Sequence, residues 1–401
     1  MPALTLELVK NNPGKENTDC LKPFALEVVK KVMNFHKSMW GYYHETPLVE
    51  LKELAKWFGV KSIYVKDESK RFDLKAFKAL GGSYAICSYL AKKAGESLNF
   101  DSLTAEHIRS KVGDITFATT TDGNHGRGVA WTARILGFPA VVYMPQGAAK
   151  ERVDAIRREG AEVRVTTMNY DDTVRLLARD AKNNDWVVVQ DTAWPGYEEI
   201  PLWIMQGYTT MAEEALSKMP EQPTHVFAQA GVGSMAAAVQ AVVANKHFAQ
   251  EPIFTVLEAS AANCVYRSFM NGKPTAVSGE LKTIMAGLAC GEVSPLAWTI
   301  FKNYSHFSIS CKDEVTALGM RILGNPLGSD ERIVSGESGA IGAGVIGFLD
   351  KYHNLKTDLG INENSVLLLF NTEGDTYPAE YRDITWGGKF PSDFRLEKTI
   401  L

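Results

Sequence analysis

The stretch DITFATTTDGNHGRGVAWTARILGFPAVVYMP, Asp114–Pro145, changes its hydrophobic period twice. Asp114–Thr121 reads as a strand, Gly126–Gly137 as a helix closed by its last glycine, and Pro139–Pro145 as a strand again. The pattern continues outward. AAKERVDAIRREG predicts a helix with Gly160 just past its end, AEVRVTT a strand, YDDTVRLLARDAKN a helix, and DWVVVQD (Asp185–Asp191) a strand. Short β-rich runs alternating with helices of about three turns predict βαβ units and a mostly parallel sheet.

A second set follows. IPLWIMQGYTTMAEEALSKM is helical, THVFAQA (Thr224–Ala230) is a strand, GVGSMAAAVQAVVANKH turns into a helix, and PIFTVLEAS is a strand. Further on, SGESGAIGAGVIGFLDKY reads as a helix and NSVLLLFNTEGD as a strand ending in a polar loop. Between them, from about Ala262 to Glu337, the chain is less periodic and rich in Gly, Ser and Pro. Two α/β units fit this order, meeting near Gly196–Pro201. Ligands of such sheets sit beyond the carboxyl ends of the strands.

Length also predicts two domains, because 401 residues exceed what one core usually serves. A net charge of -4 and a pI near 6.1 argue against a nucleic-acid footprint. No apolar run approaches the ~18 residues of a membrane helix, and the first residues do not read as a signal peptide. Five scattered cysteines without a C-x-x-C pair make neither a disulfide framework nor a zinc ribbon. The eight histidines offer no metal-ligand spacing. A cytoplasmic enzyme is the expectation.

Four loops could carry chemistry. In QAGVGSM, Gln229–Met235, a strand runs through two glycines into an alanine-rich helix, whose start offers free N–H groups to a phosphate. The same residues also fit a dinucleotide fingerprint, G-x-G-x-x-A, with Glu258 at the end of the next strand as the ribose acid. In TTTDGNHGRG, Thr119–Gly128, Asp122 is either a helix N-cap or a site acid. In DTAWPGYEEIP, Asp191 follows a strand and faces the crevice, or bonds its own loop. In FDLKAFKALGGSYA, Phe72–Ala85, Lys78 precedes a helix start and is either solvated or catalytic. Combined, a reactive lysine, a phosphate cradle and polar crevice loops point to pyridoxal phosphate.

ESKRFDLKAFKALGGSYA, TTTDGNHGRG and QAGVGSM resemble the lysine, asparagine and phosphate loops of fold-type II pyridoxal-phosphate enzymes, the group of threonine dehydratase, cysteine synthase and the tryptophan synthase β chain. The resemblance is closer still to the diaminopropionate ammonia-lyase family. It runs from about Thr46 to Asp375 through KDESKRF, KAFKALGG, FATTTDGNHGRGVAW, MNYDDTVRL, VVQDTAW, IMAGLACGE, SGESGA and TEGD. It implies a fold-type II α/β protein of two domains, each a mostly parallel sheet flanked by helices. Residues 1–90 plus 203–401 would form the large cofactor-binding domain and 91–202 the small one. It also implies a homodimer, an amino-acid substrate and a role in amino-acid catabolism.

By that resemblance, Lys78 forms the Schiff base and is the base for the L-substrate. Asn124 contacts the ring hydroxyl, Gly231, Val232, Gly233, Ser234 and Met235 hold the phosphate, and Thr372 lies beside the pyridine nitrogen. Where threonine dehydratase has a small residue this loop carries Asp122, which the resemblance makes the base for the D-substrate. The helix N-terminus would favour its ionised form. Asp191 is a second acid that assists with the D-isomer or grips the β-amino group, and Thr121 would bind the substrate carboxylate. Cys264 and Cys290 match positions that can pair in the family, though free thiols are the default in a reducing cytoplasm.

The implied reaction is β-elimination of D- and L-2,3-diaminopropionate to pyruvate and two ammonia. L-serine or L-threonine dehydration on the same fold is the alternative that Asp122 and Asp191 argue against. A nicotinamide dehydrogenase leaves KAFK and DGNHG unexplained, and a non-catalytic amino-acid sensor leaves Lys78 without a purpose.

Overall fold

Residues 5–103, 105–349 and 351–392 are described in the computed structural model; the outermost ends of the expected large domain lie outside them. Three strands precede the lysine loop, β1 (Leu6–Lys10), β2 (Leu48–Glu50) and β3 (Ser62–Asp67). The alternating middle supplies β4 (Phe117–Thr120), β5 (Ala140–Met144), β6 (Glu162–Val165) and β7 (Val187–Val188). After it come β8 (His225–Gln229), β9 (Ile253–Ala259), β10 (Phe307–Cys311) and β11 (Val366–Asn371).

The middle strands form one all-parallel sheet, ordered β6-β5-β4-β7. The others form a second sheet, ordered β1-β10-β9-β8-β11-β3-β2, parallel from β10 through β3 and antiparallel at both edges. Every residue of β3, β8 and β11 is buried, as expected of parallel strands covered by helices on both faces. Alternate residues serve different cores: Val366, Leu368 and Phe370 face one apolar cluster, while Leu367 and Leu369 face the other. The first cluster runs on through Phe117, Val142 and Met144, tying the smaller sheet to the larger.

β7 is shorter than the expected strand. Beyond Val189, whose N–H donates to Ala118 O at 2.8 Å, the Gln190 side chain takes over the pairing. Its Oε1 accepts from Thr120 N at 2.9 Å and from Thr119 Oγ1 at 3.2 Å. The helix expected over 335–352 spans only Ile341–Phe348, because Ser338 N donates to the Glu373 carboxylate at 2.9 Å instead of continuing a helix. The aperiodic segment contains β10 and the helices Cys264–Asn271, Pro295–Tyr304 and Asp313–Gly324.

Lys78 occupies the N-cap position of the helix Ala79–Ala94. The loop before it is strained: Phe72, Asp73 and Lys75 take left-handed φ of 52°, 55° and 58°. A wholly buried ion network anchors that loop. Arg71 donates to Glu68 (2.8 Å) and to Glu214 (2.7 and 3.0 Å), and Lys66 pairs with the same Glu214. On its far side the loop is strapped to the end of β11, with Phe77 N donating to Thr372 O at 3.2 Å and Gly374 N to Lys75 O at 2.8 Å. Gly128 lets the helix Asn124–Ile135 approach this point. An added Cβ would lie 3.0 Å from both N and Cα of Ala79.

Candidate active site

The loops after β4, β7, β8 and β11 converge with the lysine loop on one cavity. Lys78, Asp122, Asn124, Asp191, Gly231–Met235 and Thr372 all line it. Thr121 does not. It is buried, its hydroxyl accepts from Gly123 N at 2.9 Å, and its methyl fills the space where a Cβ on Gly126 would stand. That hydroxyl, and not the Asp122 carboxylate, serves the start of the helix, whose N-cap is Gly123. The cap alternative for Asp122 therefore falls.

Lys78 Nζ donates to Asp191 Oδ2 at 2.5 Å. Burial alone would push the Lys78 ammonium down, but the Asp191 carboxylate beside it holds its pKa above the ordinary lysine range. Burial likewise works against the Asp191 charge, and Lys78 and His125 offset it, holding the carboxyl down at about 2. Asp122 has the opposite balance. Burial raises its pKa even with Arg152 and Lys78 nearby, so the helix N-terminus does not dominate as the sequence suggested.

Four further residues not singled out from the sequence also line the cavity. His125 Nε2 donates to Val189 O at 2.8 Å, which leaves Nδ1 buried without a hydrogen-bond partner, 4.0 Å from Asp191 Oδ2. Gln229 Nε2 donates to Thr372 Oγ1 at 3.0 Å and to two backbone carbonyls, fixing that hydroxyl. Glu373 accepts from Asn124 Nδ2 at 2.5 Å. Tyr170 closes the side next to Asp122, its hydroxyl accepting from Gln190 Nε2 at 2.9 Å. His125 and Glu373 stand beside residues already picked out, Asn124 and Thr372. Gln229 and Tyr170 carried no local signal.

These residues fit pyridoxal phosphate. The helix Ser234–Asn245 directs its unpaired first N–H groups toward the cavity. A Cβ on Gly231 would come within 3.0 Å of Gly287 O, and Gly233 takes φ +94°, so the backbone itself forms the cradle. Lys78 and the orphaned His125 nitrogen complete the polar set. The dinucleotide alternative loses its acid: Glu258 is buried and accepts from Val265 N (2.8 Å), Tyr266 N (2.7 Å) and Ser308 Oγ (3.0 Å). Cys264 and Cys290 are free thiols here, the default expected of them, and do not form the pair that the family resemblance allows.

Residues 39–370 match the pyridoxal-phosphate dependent enzyme family. The chain belongs to that family. Diaminopropionate ammonia-lyase of Escherichia coli K12 is 52% identical over 374 residues, 91% of this chain and 93% of that one. The Salmonella typhimurium enzyme of the same name is 47% identical over 372 residues, 90% and 92% of the two chains. The crystal structure of the E. coli enzyme with an aminoacrylate-PLP azomethine reaction intermediate superposes at a TM-score of 0.89, with 48% identity over 97% of this chain and 98% of that one. No helix among the described residues is long and apolar enough to cross a membrane.

Proposed function

We propose that the chain is a 2,3-diaminopropionate ammonia-lyase, releasing pyruvate and two ammonia from both the D- and L-isomers. The observation that carries this is the pair of carboxylates, Asp122 and Asp191, that line one cavity with Lys78 and both favour its charged form. The E. coli relative bears the same name. Bound at Lys78, pyridoxal phosphate supplies an electron sink for the substrate α-carbon.

The protein supplies the rest. Gly231, Val232, Gly233, Ser234 and Met235 hold the phosphate through backbone N–H groups. Asn124 meets the ring hydroxyl with the amide hydrogen that Glu373 does not take. Thr372 receives the Gln229 hydrogen bond on its oxygen, so its own proton is free to point at the ring nitrogen. A hydroxyl there favours an unprotonated ring, unlike a carboxylate.

Enantiomers present their α-protons to opposite faces, so each needs its own base. Lys78 serves the L-isomer and Asp122 the D-isomer, and the two reach the cavity from different elements. Asp191 orients the Lys78 amine and offers negative charge to the β-amino group, which leaves as ammonia. Thr121 braces at Gly123 the loop that carries Asp122 and Asn124. Two acids suit a diamine better than a hydroxy amino acid.

We include in this reading a homodimer in the cytoplasm, with domains 1–90 plus 203–401 and 91–202. Light scattering at twice 44.2 kDa tests the dimer. The test of function is pyruvate release from pure D- and L-2,3-diaminopropionate beside L-serine and L-threonine. Higher kcat/KM on both diaminopropionate isomers is expected. Turnover of the hydroxy amino acids alone would make the chain a dehydratase.

A further inference from the structure

Past Asp122 and Tyr170, which line both spaces, the inner cavity opens into a wider vestibule. Glu337 lies in its wall, with its side chain only 3% exposed. Its place is fixed from both sides: Thr316 Oγ1 donates to its carbonyl, and the next residue's N–H donates to Glu373. The nearest cation is Arg152, with Nη2 3.9 Å from Glu337 Oε2, longer than a hydrogen bond.

Arg152 is also stretched thin. Its stem lies over Gly123, where an added Cβ would be 3.1 Å from Cδ, and its charge is shared among Glu373, Asp122 and Glu337. The remaining vestibule charges do not redress the balance. Glu380 is paired with Lys389 at 2.7 Å, and Glu280 and Lys282 are both exposed. One guanidinium therefore faces three carboxylates, and buried Glu337 has no cation among the described residues nearer than 3.9 Å. Burial and the Glu373 charge push Glu337 up to about 7, the state of a carboxylate short of positive charge.

We propose that Glu337 is the recognition carboxylate of an outer subsite, which takes the cationic end of an incoming diamino acid before it enters the inner cavity. This rests on the function proposed above. A hydroxy amino acid has no charge at that end and gains nothing from Glu337, so the residue sets specificity without touching the reacting atoms.

The test is steady-state kinetics of the Glu337→Gln holoenzyme. KM for L-2,3-diaminopropionate is expected to rise about tenfold, worth about 1.4 kcal/mol, with kcat within about twofold and KM for L-serine unchanged. An equal rise for both substrates, or none for the diamine, overturns the proposal. If this variant does not fold, Glu337→Asp, which keeps the charge, is expected to raise KM for the diamine by less and leave L-serine alone; the same contrary results apply. Tetramethylammonium, a cation with no reactive N–H, separates this from the function itself. At matched ionic strength it should inhibit whichever amino acid the wild-type enzyme turns over, and inhibit Glu337→Gln less; equal inhibition overturns the subsite. Wild-type enzyme without diaminopropionate turnover would instead sink the reading of function.

Discussion

Lys78 Nζ stands 2.5 Å from Asp191 Oδ2, joining the loop ahead of the helix Ala79–Ala94 to the loop behind β7. The two sheets thus meet at an ion pair inside the cavity. His125 Nδ1 lies 4.0 Å from the same oxygen, but burial outweighs that negative charge and lowers the His125 pKa.

Asp191→Asn removes that charge. The visible band of the holoenzyme is expected to change with pH at a midpoint lower by about one unit or more, as for loss of a close buried counter-charge. Spectrophotometric titration measures it. An unmoved midpoint would mean that Asp191 does not set the charge at Lys78.

Asp122→Asn is expected to lower kcat/KM on the D-isomer by about 10²–10⁴, the usual range for loss of a general base, while most L-turnover survives. Burial raises the Asp122 pKa, and a base must be ionised. Wild-type D-turnover should therefore fall off on the acid side at a higher pH than an ordinary carboxylate would give. Equal losses on both isomers would show Asp122 to be shared or structural.

Much of this was legible in the sequence. The β4-to-β6 alternation stood out because short β-rich runs alternate there with glycine-ended helices. β10 did not, although it sits inside the larger sheet. Its serines look like loop residues, but Ser308 Oγ donates to buried Glu258 and Ser310 Oγ accepts from Asn263, so its polar alternation is a product of tertiary partners. β2, three residues on an edge, offers too little pattern to read. Gln229 shows the same limit in the site: only the fold brings its amide to Thr372. Asp122 was legible as a site acid, but its titration was not, because burial outweighs the helix terminus.

Gly128→Ala tests the close approach behind Lys78. The new methyl meets the backbone of Ala79, which cannot retreat as a flexible side chain could. Urea unfolding should show a loss of about 1–3 kcal/mol, with weaker cofactor retention on dialysis. Retention and stability equal to wild type would contradict the packing described.

Glu214→Gln tests the buried network under the strained lysine loop. It leaves Arg71 and Lys66 with too little negative charge, and a loss of about 3–5 kcal/mol in urea unfolding is expected. Burial would push Glu214 up, but Arg71 and Lys66 hold it at about 2. A depressed carboxyl stabilises the fold above its unfolded value, about 4, and that contribution is lost as pH falls from there toward 2. The variant should therefore show a shallower decline of stability with acid than the wild type over that window. Parallel curves would place the acid sensitivity elsewhere.

The most direct measurement is the ratio of ammonia to pyruvate released from pure D- and pure L-2,3-diaminopropionate by the wild-type holoenzyme. The account predicts two ammonia per pyruvate from each isomer, at rates well above those for L-serine and L-threonine. Release of one ammonia per pyruvate from the hydroxy amino acids, with neither diaminopropionate isomer consumed, would contradict it.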